Sequence, residues 1–122
     1  MYKIIGIDVS KKSFDVSFLK ENQKWSNGHY ENTIDGITDF YKKLPEGEYV
    51  FVMEATSSYY LKLAYFFHEK GQKVAVVNPL KIRRFAQMRF ERVKTDKADA
   101  RIIAQYGTSE ELPQWEPQPD HL

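Results

Sequence analysis

Hydrophobic and polar positions follow a strand-like pattern over the first third of the chain, and the period then lengthens. Residues 2–9, YKIIGIDV, are rich in β-branched and apolar side chains with no helical spacing, which predicts a buried strand. Residues 13–19, SFDVSFL, alternate, with Phe14, Val16 and Phe18 on one face and Ser13, Asp15 and Ser17 on the other. The tight SKK connection between them predicts an antiparallel pair. After the polar turn KENQK, a third strand is expected over residues 25–34, with Trp25 and Tyr30 as its packing residues. Asp35-Gly36 then opens a helix to about Leu44, with Asp35 as N-cap and Ile37, Phe40, Tyr41 and Leu44 as the apolar stripe. PEGE breaks the chain before YVFVME at 49–54, a continuous apolar run that suits a central strand. Ser57 or Ser58 is expected to cap a helix running to about Lys70, with Gly71 at the position after its C-terminus. KVAVV at 73–77 predicts another buried strand, Pro79 opens a short helix over 79–88, and a last helix covers roughly 96–106.

Three antiparallel strands followed by strand–helix alternation imply an α/β fold with a mixed sheet and helices on both faces. Right-handed crossovers place the fourth strand beside the first and the fifth outside it. The resulting five-stranded order, 3-2-1-4-5, is the ribonuclease-H-like plan. The length of 122 residues suits one domain, with the folded part over 1–108. Residues 109–122 carry three prolines and four acidic residues with no Lys or Arg, so they are expected to be a linker or arm. Hydrophobic residues make up 42% of the chain and aromatic residues 15%, enough for a real core. The absence of cysteine excludes disulfides and thiolate metal sites. No apolar run is long enough to span a membrane and the N-terminus does not resemble a signal peptide, so a soluble, cytoplasmic domain is expected.

One residue fits this pattern badly. Asp8 stands among Ile5, Ile7 and Val9, and an uncompensated charge there is costly. Glu54 ends the neighbouring strand, and in open α/β sheets sites gather at the carboxyl ends of the strands. KTDKADARIIA adds Asp96 and Asp99, three apart and so on one helix face. If that helix crosses the sheet end, Asp8, Glu54, Asp96 and Asp99 converge. Converging carboxylates repel one another, and hard oxygen donors suit Mg²⁺ or Mn²⁺. Two such ions form the clamp used in phosphodiester chemistry. Simpler roles exist for each: Asp99 as the partner of an N-cap Asp96, and Glu54 as a solvated strand end.

The net charge is only +1, yet residues 81–101 hold eight Lys or Arg against three acidic residues. Lys81, Arg83, Arg84, Arg89, Arg92, Lys94 and Lys97 are the candidate phosphate contacts, with Phe85 and Phe90 interleaved. The plain alternative is a solvated helical face anchored by its aromatics. His29, His68 and His121 show no ligand spacing, and His68 reads as a core or boundary residue. Neither a nucleophile elbow nor a phosphate-cradling glycine loop is visible, which speaks against a serine hydrolase and against half of an actin-like or sugar-kinase ATPase.

GIDVSK, MEATSSYY, NPLKIRRFA and KTDKADARIIA, in that order, resemble the N-terminal domain of the DEDD insertion-sequence transposases, recombinases similar to the pilin-gene inverting protein. That resemblance covers roughly residues 3 to 108 and implies a RuvC-like domain whose D-E-D-D metal set would be Asp8, Glu54, Asp96 and Asp99. It implies DNA as substrate, a guide RNA in some members, bacterial cytoplasm near the nucleoid, and a homo-oligomer. It also implies a separate C-terminal domain bearing a nucleophilic serine. The chain stops at Leu122, so the acidic tail is expected to begin the interdomain linker. A nucleic-acid-binding module without catalysis, or a Holliday-junction-resolvase-like nuclease, are the competing expectations.

Overall fold

A computed structural model describes residues 2–89 and 99–119. The elements are β1 (Lys3–Val9), β2 (Ser13–Leu19), β3 (Trp25–Glu31), α1 (Ile34–Lys43), β4 (Tyr49–Glu54), α2 (Leu61–Glu69), β5 (Lys73–Val77), α3 (Pro79–Arg89) and α4 (Ala100–Ser109). The sheet order is β3-β2-β1-β4-β5. β1 pairs antiparallel with β2 and parallel with β4, as the hairpin and crossover lengths require.

Strand alternation divides the core in two. On one face Ile5, Ile7, Val9, Phe14, Val16, Phe51 and Met53 pack against Ile37 and Phe40 of α1 and Leu63 and Phe67 of α2. On the other, Val52, Ala75 and Val77 meet Ile82 and Phe85 of α3 and Ile103 and Tyr106 of α4. Helices therefore cover both faces, but unequally. α3 and α4 pack on each other, and α4 lies against β1, so no described helix lies over β3 on this second face.

Several boundaries differ from the sequence reading. β3 stops at Glu31, because Asn32 turns the chain inward: its side chain is buried and its Nδ2 donates to the backbone oxygens of Ser10 and Tyr59. Thr33, not Asp35, caps α1, accepting from the Gly36 amide, and Asp35 falls in the first turn where its charge suits the helix dipole. Neither Ser57 nor Ser58 caps α2. Ser57 has φ of +57°, in the left-handed region, whereas an N-cap is extended. α2 instead grows out of a turn at Tyr60 with no side-chain cap bond. Gly71, at φ of +78°, ends α2 as expected.

Residues 110–119 are not regular structure, but parts of them pack. The Trp115 amide donates to Val74 O on edge strand β5, and its ring meets Tyr65 and His68 of α2 edge-on. His68 is thus an exposed residue under a tryptophan rather than a core histidine. Among the described residues, no helix is long and apolar enough to cross a membrane.

Candidate active site

The second face of the sheet carries one polar row. Asp15 pairs with His29 across β2 and β3, and Asp8 pairs with Asp15 across β1 and β2. Asp8 and Glu54 each stand one residue beyond the Ile7–Met53 pair of the parallel β1–β4 ladder, and Glu54 pairs with Val77. Paired strand residues point to the same side, so His29, Asp15, Asp8 and Glu54 form a line across four strands. It runs along the carboxyl ends of β1 and β4. Asp8 is partly buried, and its Oδ1 is shielded from solvent. Glu54 is only 8% exposed and accepts from Thr56 Oγ1 at 3.2 Å.

Gly6 explains why α4 arrives at this row. It lies two residues before Asp8 and faces the same side. A Cβ built there would stand 2.2 Å from Ala100 O and 2.4 Å from Ala104 N. The first turn of α4 therefore rests on bare backbone, closer than any side chain would allow. Asp99 is the N-cap of that turn, with Oδ1 accepting from the Ile102 amide at 2.9 Å. Asp8 and Asp99 line one groove of about 500 Å³, together with Asp15, His29 and Arg101.

The expected four-carboxylate set is thus brought together in part. Asp8 and Glu54 share a row and Asp99 overhangs the Asp8 end, whereas Asp96 lies outside the described residues. Asp99 is itself the cap, not the partner of a capping Asp96. Among the described residues, no three His, Asp or Glu side chains stand close enough to hold a metal ion. The donor chemistry of Asp8, Glu54 and Asp99 nonetheless fits a hard cation: all three offer carboxylate oxygens, and the chain has no thiol to compete.

Of the candidate phosphate contacts, Lys81, Arg83, Arg84 and Arg89 lie on α3 with exposed side chains, while Arg92, Lys94 and Lys97 lie outside the described residues. Arg89 is steadied by Ser109 Oγ at 3.2 Å and by the Phe85 ring at 5.3 Å. Four residues at this face were not among the candidate site residues of the sequence. His29 Nδ1 stands 2.6 Å from Asp15 Oδ1. Arg101 lies over the indole of Trp25, at 4.8 Å from the ring centroid. Tyr30 joins the aromatic core as expected, but Trp25 faces the opposite side. The parity of SFDVSFL and WSNGHYE holds the signal: Asp15 and Ser17, then Trp25, Asn27 and His29, share the face of Asp8 once the register is known.

A family model described as a transposase, of the DEDD type and IS110 group, matches residues 5–122. The pilin gene-inverting proteins of Moraxella lacunata and Moraxella bovis are each 36% identical over 122 residues, covering 96% of this chain. The chain spans 38% of the length of those two proteins. Among solved structures, T. thermophilus RuvC in complex with a Holliday junction substrate aligns over 94% of this chain and all of that chain. Its TM-score is 0.57 at 11% identity, a likeness of fold that agrees with the ribonuclease-H-like plan.

Proposed function

Because this chain belongs to the DEDD transposase family, we propose that it is the metal-dependent catalytic domain of a DNA transposase, cleaving or transferring phosphodiester strands. The observation that carries the reading is the meeting of Asp8 and Asp99 in one groove, with Glu54 beside Asp8 in the row. Carboxylates gathered on a partly buried strand end repel one another and favour a cation among them. Mg²⁺ or Mn²⁺, as a pair, is the group that fits, held by Asp8, Glu54 and Asp99 with Asp96 as the fourth member. When bound, it supplies Lewis-acid stabilisation of the attacking and leaving oxygens.

The chain's own residues do the rest. The β1–β4 ladder fixes the spacing of Asp8 and Glu54, and Thr56 orients Glu54. The cap bond to Ile102 holds one oxygen of Asp99 and leaves the other for a ligand. The cations of α3 draw the phosphate backbone toward this face without reading sequence. DNA is the substrate of this reading, and the working location is the bacterial cytoplasm at the nucleoid. The serine nucleophile, a guide RNA in some members and the homo-oligomer, which the resemblance implies, are assigned in this reading to the longer family proteins rather than to these 122 residues.

Asp8→Asn and Glu54→Gln in such a longer protein are expected to lower strand cleavage by about a thousandfold or more with DNA binding retained. Unchanged cleavage in Asp8→Asn would sink the reading. In the 122-residue chain, Mn²⁺ is expected to broaden NMR signals first around Gly6 to Val9. A binding module without catalysis is the second reading for this chain by itself. It rests on the exposed cations of α3, Lys81, Arg83, Arg84 and Arg89, and it predicts no Mn²⁺ effect at β1.

A further inference from the structure

α4 has two flanks. One is covered by α3; the other rests in part on β2 and overlooks β3. Two hollows lie beside α4, the second reaching its C-terminal end, where Phe85 and Arg89 of α3 also line it. The first is the groove of about 500 Å³ that holds Asp8, Asp99, Asn27 and His29. The second, of about 640 Å³, is lined by Trp25, Gln23, Tyr2, Gln105, Arg89 and Ser109 among others. Arg101 lines the first and its guanidinium lies over Trp25 of the second, so this stacked pair joins the two. Along α4, Arg101, Gln105 and Thr108 recur at helical spacing on this flank.

The chemistry changes from one end to the other. At the Asp8 end the lining is acidic. Farther along it becomes cationic, amide-rich and aromatic, through Arg101, Trp25, Gln105 and Arg89. Cations beside an aromatic plane, with amide donors and acceptors between them, match the phosphates and unpaired bases of a single strand. A duplex keeps its base faces stacked and unavailable to Trp25. A protein strand added to β3 would use backbone pairing and have no need of the Arg101–Trp25 stack.

We infer that the groove between α4 and the β2–β3 face, centred on Arg101 and Trp25, seats a single strand of nucleic acid leading into the Asp8–Asp99 end. Arg101 holds a phosphate or stacks beneath a base, and either move changes the cover over the indole. The inference rests on the phosphodiester reading of the Asp8 centre, and it adds residues to which that reading assigned no role.

Tryptophan fluorescence tests it directly. Trp115→Phe leaves Trp25 as the one tryptophan of the chain. Titration of this variant with oligothymidylate or oligouridylate of about ten nucleotides is expected to quench Trp25. Tighter binding of either oligomer assigns the groove to that kind of strand. Arg101→Ala in the same background is expected to weaken binding by about tenfold and to reduce the salt slope by about one. Arg101→Lys, which keeps charge but not the planar fork, should fall between. Three results would overturn the inference: oligonucleotide binding seen by anisotropy with Trp25 silent, unchanged affinity and salt slope in Arg101→Ala, or equal quenching by a duplex. Adding Asp8→Asn separates the two readings. Quenching that survives Asp8→Asn supports the groove whatever cleavage does, while cleavage that survives Asp8→Asn removes the catalytic reading and leaves the Trp25 result standing.

Discussion

The two faces of β1 are made from alternate residues of the same seven-residue strand and do opposite work. Ile5, Ile7 and Val9 face an aromatic-rich core in which Phe51 and Phe67 stack at 3.7 Å between ring centroids, with Phe40 edge-on to both. Gly6 and Asp8 face α4, where a missing side chain and a charged one replace packing. The first face tolerates no voids but asks only for volume and shape. The second depends on how closely a helix can approach bare backbone. A period of two thus lets one strand anchor the fold and present the site, and the two duties should fail separately.

The largest expected effect is on the first face. Phe67→Ala removes a fully buried ring and should cost about 3–5 kcal/mol by chemical denaturation, with α4 and the Asp8 groove unchanged in the folded fraction. Gly6→Ala comes next. Its Cβ meets the backbone of Ala100 and Ala104, which cannot rotate away, so a loss of about 3 kcal/mol is expected. Unlike Phe67→Ala, it should also shift the amide signals of residues 99–104. A Gly6→Ala chain as stable as the parent, with those signals in place, would show that α4 does not rest on Gly6.

The alternation that separates the faces was legible in the chain, and so was the strand order. The run of strand lengths, the tight SKK link and the long apolar YVFVME leave few ways to build the sheet. What was not legible depends on which residue meets which across the sheet. Trp25 looks like a packing residue in isolation; only the Leu19–Trp25 pairing puts it on the face of Asp8 and beneath Arg101. Gly6 carries no mark of a helix contact until α4 is placed over it. Ser57 resembled an N-cap by residue type alone, and its left-handed backbone was not visible in composition. Asp8 stands out in the sequence because a carboxylate is out of place among Ile5, Ile7 and Val9, and Glu54 because it ends the neighbouring strand. His29 does not stand out, because a histidine on a half-polar strand is ordinary.

Alkaline pH probes both faces more gently, because each carries one buried tyrosine. Burial, with Tyr41 nearby, raises the Tyr49 hydroxyl above its ordinary value. Burial, with Glu110 nearby, does the same for Tyr106. A raised folded-state value stabilises the fold fully below the unfolded value of about 10 and is lost as pH climbs through the folded one. Denaturant midpoints should therefore fall above about pH 10, and Tyr106→Phe should flatten the α4-side share of that fall. An identical fall in the double variant with Tyr49→Phe would exclude both tyrosines as its source.

The smallest effect on stability is expected at Asp99, where structure and chemistry share one side chain. As an N-cap, its Oδ1 satisfies the Ile102 amide, and Asp99→Ala should cost about 1 kcal/mol. Asparagine caps a helix nearly as well as aspartate, so Asp99→Asn should leave the denaturation midpoint within a few tenths of a kcal/mol of the parent. It nevertheless removes the charge at the Asp8 end of the groove. If Asp99 is only a cap, Asp99→Asn behaves as the parent in every assay. If it is also a ligand, Asp99→Asn keeps the fold, loses Mn²⁺ affinity at β1, and lowers cleavage in the longer family protein. Asp99→Ala alone cannot separate these cases, because it removes the cap and the ligand together.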